Sequence, residues 1–307
     1  MDRPNPIRSR SICPWQLRTR TVELGRRTLI MGVVNITPDS FSDGGRFLAP
    51  PAAISHALQL IDEGAHLLDL GAETTRPGSQ TGPAPAVSTE EEQARLLPVL
   101  EGILKARPQA ILSVDTYKSA TARAALAAGA EIVNDVSGFL WDSELATVCA
   151  QAPCGVILMH TRGRPGEWAM QPHLAPDALL GNVLDGLQAS LNKAASVEIA
   201  PDSIVLDPGY GFGKRGEENF ALLARQRQLL ALGRPLLAGL SRKSFLGKAL
   251  APLHQGKAAP VRSRETASLA ALVAALLNGA SIVRVHQVPP AIEAALVADA
   301  IAAEAQP

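Results

Sequence analysis

Eight short apolar runs in this 307-residue chain each end on side chains able to do chemistry. In order these ends are Asn35, Asp69 with Glu73, Asp115, Asn134-Asp135, Met159-His160, Asp207, Ser241-Arg242-Lys243 and Arg284-Val285-His286. Carboxylates and amides at the mouths of buried segments cost free energy unless each finds partners. Their concentration therefore points to a ligand or to a tightly paired network. "GLSRKSFLG" (239–247) puts two cations and two hydroxyls at the opening of a helix, and with Arg284 and His286 it forms a candidate anion site. Taken singly, each residue has a plainer reading. Asp115 in "SVDTYK" could cap the following helix, and Asn134 and Asp207 could satisfy strand-end amides. The glycine-rich "DPGYGFGKRGEEN" (207–219) is not a P-loop, because Pro208 stands five residues before Gly213 and Arg215 follows Lys214. Its glycines suggest backbone pressed close to a flat ligand, with Phe212 as a wall. His56, His66, His173 and His254 read as surface or packing residues, and no HxH or HExxH predicts zinc. Magnesium fits better, because it needs few protein ligands when phosphate oxygens supply the rest.

The elements that must position these groups follow from a repeat. "DEGAHLLDL" (62–70), "LAAGAEIVND" (126–135) and "LLNGASIVRVH" (276–286) each end a helical pattern at Gly-Ala, pass one polar residue and enter an apolar strand. Gly64, Gly129 and Gly279 suit the left-handed position past a helix end, and five residues later stand Asp69, Asn134 and Arg284. The spacing predicts strands at 28–35, 67–71, 110–115, 132–136, 155–160, 204–207, 236–241 and 282–286. Helical patterns lie between them at 52–64, 89–106, 117–128, 143–151, 177–195, 217–232, 262–278 and 289–304. Eight alternating pairs predict an α/β fold, a (β/α)8 TIM barrel in a single domain. A doubly wound open sheet is the rival, but the Gly-rich turn after its first strand is absent. "WQLRTRTVELGRR" (15–27) alternates like a short N-terminal β-hairpin plugging the barrel bottom, which leaves 1–14 as a disordered arm and 15–307 as the barrel domain.

The 29 basic and 29 acidic side chains cancel, so no charge imbalance points to nucleic acid or an anionic membrane. Cys13, Cys149 and Cys154 form no CxxC and leave an odd count, which favours a reduced, cytoplasmic setting. No window reaches the roughly 18 apolar residues of a membrane span, and the arginine-bearing first twenty residues do not read as a secretion signal.

"MGVVNITPDSFSDGG", "ETTRPG", "SVDTYK", "IVNDVSG", "LDPGYGFGK", "LSRKS" and "RVH", in this order, resemble the dihydropteroate synthase family of folate biosynthesis, from about residue 28 to 290. The resemblance implies a transferase that joins 4-aminobenzoate to the (7,8-dihydropterin-6-yl)methyl diphosphate, releasing diphosphate and forming 7,8-dihydropteroate. It implies a pterin site at Asp115, Asn134, Asp207 and Lys243, with Val136, Met159 and Phe212 lining its faces. A magnesium ion would meet Asn35. The diphosphate would face Asn35, Thr75, Arg264, Arg284 and His286. The aminobenzoate site would be built by Phe41, Thr75, Arg76, Pro77, Ser241 and Lys243. Asp115, Asp207, Lys243 and Asn35 would carry the catalysis, with loops 35–47 and 73–88 closing over the site.

Three stretches depart from the family pattern. "GAETT" stands for the usual "GGEST", "MHTRGRPGEW" (159–168) replaces a shorter Met-rich turn and adds Arg162 and Arg164, and Gln287 replaces an aspartate. Two rival functions remain: a methyltetrahydrofolate-dependent methyltransferase barrel, and an inactive pterin-binding partner. The first has no use for the diphosphate-facing motifs. The second should have lost one of Asn35, Asp115, Asp207, Lys243 or His286, and all are present. Helix 262–278 is apolar nearly all round after Ala267, which together with the resemblance predicts a homodimer through the 262–304 helices.

Overall fold

The alternating segment near the N-terminus forms a two-stranded antiparallel hairpin, β1 (Cys13–Gln16) and β2 (Thr21–Leu24). Trp15, Leu17 and Leu24 point from it into the barrel floor, where they pack with Leu29, Met31 and Ile157. The Trp15 indole donates to the Ser203 carbonyl at 2.9 Å, so the plug satisfies its one polar atom as it buries its ring. The computed structural model describes residues 10–36, 50–73 and 87–304. The first strand starts at Cys13, ahead of the expected boundary at 15. Arg10 donates to Thr28 Oγ1 and the Ala280 carbonyl and pairs with Asp299 at 2.5 Å, which ties residues 10–14 to the barrel.

Eight parallel strands follow: β3 (Leu29–Asn35), β4 (Leu67–Gly71), β5 (Leu112–Asp115), β6 (Ile132–Asp135), β7 (Gly155–Met159), β8 (Ile204–Asp207), β9 (Leu236–Ala238) and β10 (Ala280–Val285). They close into a barrel in the order β10-β3-β4-β5-β6-β7-β8-β9. Around it run α1 (Pro50–Asp62), α2 (Thr89–Ala106), α3 (Ser119–Ala127), α4 (Leu145–Gln151), α5 (Pro176–Ser196), α6 (Gly216–Arg225), α7 (Ser244–Ala249), α8 (Glu265–Leu277) and α9 (Val288–Glu304). The strands are nearly all buried, as unbroken apolar runs covered by helices require. Gly64, Gly129 and Gly279 have φ of +101°, +111° and +93°, so the three helix-to-strand joints turn as their shared sequence predicts.

Most predicted bounds shift by one to three residues, and α7 is not among the expected helices; in two elements the cause of the difference is visible. The 236–241 strand stops at Ala238, and the chain turns through Arg242, held at φ +60° by a bond from its amide to Ser268 Oγ. The 217–232 helix tightens into a 3₁₀ stretch from Gln226, whose buried side chain accepts from Tyr210 and donates to the Ala275 carbonyl. Among the described residues no helix is long and apolar enough to cross a membrane.

Candidate active site

The strand ends converge on one face of the barrel, the face where folds of this kind build their sites. Asp69 on β4 is fully buried and accepts from Ser113 Oγ at 2.7 Å, Asn134 Nδ2 at 3.0 Å and Arg284 Nε at 2.6 Å. Arg284 reaches on to Asp115 Oδ2 at 2.8 Å, so one guanidinium bridges two carboxylates. These bonds use two of its five N–H donors. The hub is a product of the repeat: Asp69, Asn134 and Arg284 stand at the same offset from their joint glycines, on alternate strands β4, β6 and β10. Alternate barrel strands share one layer of inward side chains, and here that layer is polar.

Asp207, from the remaining alternate strand β8, stands beside this layer. A Cβ added to Gly239 would lie 3.8 Å from Asp207 Oδ2 and 3.9 Å from Arg284 Cβ. Asp207 Oδ1 accepts the Gly209 amide at 2.7 Å, so it satisfies a strand-end amide and keeps its second oxygen for other work. Lys243 Nζ rests 4.0 Å from the centroid of the Phe212 ring, within cation–π range. Burial pushes the Asp115 carboxyl up to about 7, aided by Asp69 and opposed by Arg284. Burial also raises Asp207, against its bond from Gly209. It lowers Lys243 to about 8, although Asp207 favours the ammonium. Asp115 and Lys243, poised this close to neutrality and lining one cavity, are what a reacting site needs.

The capping role open to Asp115 is filled by another residue. The Ser119 amide at the start of α3 donates to Asp142 Oδ2 at 2.7 Å. Asp115 instead lines a cavity of about 770 Å³, together with Asn35, Phe212 and Lys243. On the same wall stand Ser241, Arg264, Arg284 and His286. Asn134, Val136, Met159 and Asp207 are buried and are not part of this lining. Ser241 Oγ lies 3.0 Å from His286 Nδ1, which joins the ends of β9 and β10 into one polar rim. Arg264 lines the cavity while its guanidinium holds the carbonyls of Ala259 at 2.8 Å and Arg242 at 3.0 Å. Phe41, Thr75, Arg76 and Pro77 lie outside the described residues.

Sequence reasoning gave no site role to three groups that matter here. Ser113 completes the Asp69 hub, and its signal was its place opposite Asp69 in the β4–β5 register. Lys118 Nζ holds Glu73 at 2.6 Å, Glu92 at 3.1 Å and the Val87 carbonyl at 2.9 Å, all buried. It thereby joins the described ends of the chain on either side of 74–86. Trp168 lines the cavity from the stretch that departs from the family pattern.

The profile of pterin binding enzymes matches residues 31–286, from the strand bearing Asn35 to His286. The chain belongs to the pterin-binding enzyme family. It is 40% identical over 277 residues to a dihydropteroate synthase of Synechocystis, covering 90% of this chain and 91% of the relative. It is 41% identical to that of Mycobacterium leprae, covering 88% of this chain and 92% of the relative. A Burkholderia cenocepacia dihydropteroate synthase complexed with 7,8-dihydropteroate superposes with a TM-score of 0.79 at 37% identity, covering 96% of this chain and 99% of the other. Asp115 and Asp207 stand at the ends of β5 and β8, on the face where barrels of this kind build their sites.

Proposed function

We propose that this chain is a dihydropteroate synthase, condensing (7,8-dihydropterin-6-yl)methyl diphosphate with 4-aminobenzoate to give 7,8-dihydropteroate and diphosphate. The observation that carries the reading is the Asp69–Arg284–Asp115 bridge, a carboxylate held beside a guanidinium in the same cavity as the Ser241–His286 rim. The dihydropteroate bound by the Burkholderia relative, the reaction's product, supports it. Loss of diphosphate from the methylene carbon leaves positive charge spread into the electron-rich ring. Asp115 stabilises that cation, while Arg284, His286 and Arg264 face the departing anion. Asn134, Asp207 and Lys243 supply the acceptor and donor pattern that an amino-oxo heterocycle needs, with Val136, Met159 and Phe212 as apolar neighbours. The aromatic amine then attacks the methylene from the side of Ser241 and Lys243, where Phe41, Thr75, Arg76 and Pro77 would complete its site. Both C–O cleavage, which leaves its electron pair on diphosphate, and C–N formation occur at one carbon, the proton lost by the nitrogen passes to diphosphate or solvent, and no covalent enzyme intermediate is required.

A magnesium ion would be held here with few protein ligands. Among the described residues no group of three or more His, Cys, Asp or Glu is placed to hold a metal. The Asn35 amide oxygen would then be the protein's ligand from these residues and the diphosphate would provide the others, as this hard, oxygen-seeking ion permits. Bound there, the ion would neutralise charge on the leaving diphosphate.

Purified protein given the pterin diphosphate, 4-aminobenzoate and magnesium should release diphosphate only when the amine is present. Absence of release, or release indifferent to the amine, would end the assignment. It would also separate the synthase from both rivals, since neither a methyl-transferring barrel nor an inactive partner liberates diphosphate.

The same reading includes a homodimer through α8 and α9. Most of α8 is buried or half-buried against its own barrel, with Leu269, Val273 and Leu277 packed on the core. Of these two helices, α9 carries the large exposed apolar groups, with Leu296, Val297 and Ile301 65%, 60% and 41% exposed. Such a face suits a second copy of the chain. Light scattering should give twice the chain mass, and Leu296→Asp should give the monomer; a monomeric wild type at micromolar concentration would refute the pairing.

A further inference from the structure

The stretch "MHTRGRPGEW" forms a support for one wall of the cavity. Its backbone is pressed onto the loop that follows β8. A Cβ at Gly213 would come within 2.6 Å of Arg162 Cβ and 2.7 Å of its carbonyl oxygen. Gly209, at φ +67°, leaves no room for a side chain against the His160 carbonyl. The buried Lys214 ammonium fastens the two loops by donating to the carbonyls of His160 at 3.2 Å, Gly209 at 2.8 Å and Phe212 at 3.3 Å. Arg162 is anchored in turn by buried Glu218 at 3.3 Å and by the Pro172 carbonyl at 2.7 Å. Its added charge is therefore structural, and Arg164 sits over the Trp141 ring at 5.1 Å.

This framework aims one ring at the site. Trp168, in the 3₁₀ turn Pro165–Met170, is 7% exposed, and its indole N–H donates to Thr161 Oγ1 at 3.2 Å and the Gly163 carbonyl at 3.0 Å. Its ring meets Phe212 edge to face, centroids 5.1 Å apart at 81°. Phe212 is the ring beneath the Lys243 ammonium. Trp168 and Phe212 both line the cavity.

We propose that Trp168 is a positioning residue for the pterin subsite, fixing the Phe212 ring and through it the Lys243 ammonium. The inference rests on the synthase reading above and adds a residue to it. The wall is set by an edge-to-face pair, whose geometry an aliphatic side chain of similar bulk does not reproduce.

Three proteins test it: wild type, Trp168→Leu and Trp168→Phe. Trp168→Leu keeps apolar volume without a ring, and Trp168→Phe keeps a ring without the indole N–H. The KM for the pterin diphosphate should rise roughly tenfold in Trp168→Leu, with kcat within about twofold, because ground-state and transition-state contacts weaken alike. Trp168→Phe should restore KM to within about twofold of wild type. Equilibrium binding of the pterin diphosphate alone, by calorimetry, should follow the same order. If both variants share one KM, or Trp168→Leu binds like wild type while only its melting temperature falls, Trp168 is packing and the proposal is overturned. A wild type that binds no pterin diphosphate or releases no diphosphate overturns the synthase reading instead.

Discussion

Asp115→Asn is expected to lower kcat/KM by at least about a hundredfold, the scale of removing one preorganised electrostatic group from a reacting site, while the melting temperature changes little. Asparagine keeps an oxygen for the Arg284 Nη2 bond and nearly the same shape, so packing around β5 survives. What disappears is the charge that faces the developing cation. The Arg284 bridge already spends part of that charge on the ground state, which places the loss nearer the lower end of the usual range. Folding should not suffer, because the amide of Ser119 is held by Asp142 and Asp115 caps nothing. A variant that melts far below wild type would mean that Asp115 serves the fold first. Retained turnover would remove it from the mechanism.

The same residue fixes the expected pH dependence. Asp115 must be ionised to act, and burial has raised it to about 7, so kcat/KM should fall as pH drops below that value. Lys243 must be protonated to donate, and burial has lowered it to about 8, so the rate should fall again as pH rises past it. The result is a narrow bell, and in Asp115→Asn the residual activity should lose its acid limb and keep the alkaline one. A profile flat from pH 6 to 9 in the wild type would contradict both assignments.

The barrel was legible because its signal repeats. Eight alternations of apolar run and amphipathic stretch constrain one another, and positive-φ glycines mark where three of the helix-to-strand turns close. Strand ends suffer most from local context: nothing in "LLAGLSRK" says that the strand stops at Ala238, because the turn that follows is held at Arg242 by Ser268, on a helix 26 residues beyond Arg242. The candidate site was legible as a set of positions and less so as a set of bonds. Arg284 read as a cation for an anionic ligand, yet its guanidinium also organises Asp69 and Asp115. Arg264 likewise spends two bonds on backbone carbonyls. A linear sequence displays charge but not the partner that charge has already found. Trp168 was invisible for a related reason: an aromatic residue in an irregular turn has no period, and only the packing of two loops shows where it points.

Asp69→Ala should be the most damaging single change to the fold, costing about 3–5 kcal/mol, as loss of one partner from a buried ion pair does. Asp69 is wholly buried and accepts three bonds, so alanine leaves the Ser113 hydroxyl, the Asn134 amide and the Arg284 guanidinium short of an acceptor at once. The opposing effect is the desolvation of Asp69 itself, which its removal relieves, and this keeps the cost from being the sum of three separate bonds. Urea unfolding should show the loss as a lower midpoint with an unchanged slope. The double variant Asp69→Ala/Arg284→Met should recover part of that stability, since it removes both charges and refills part of the volume while Asp115 loses its Arg284 partner, yet it should remain inactive. The single variant also tests the link between hub and chemistry. Asp69 raises Asp115, and Arg284 freed from Asp69 would turn more fully to Asp115, so both changes lower the Asp115 carboxyl. Whatever activity Asp69→Ala retains should therefore show its acid limb displaced to lower pH. A destabilised variant whose acid limb stays near the wild-type position would mean that the buried layer holds the barrel together without tuning the carboxylate that faces the substrate.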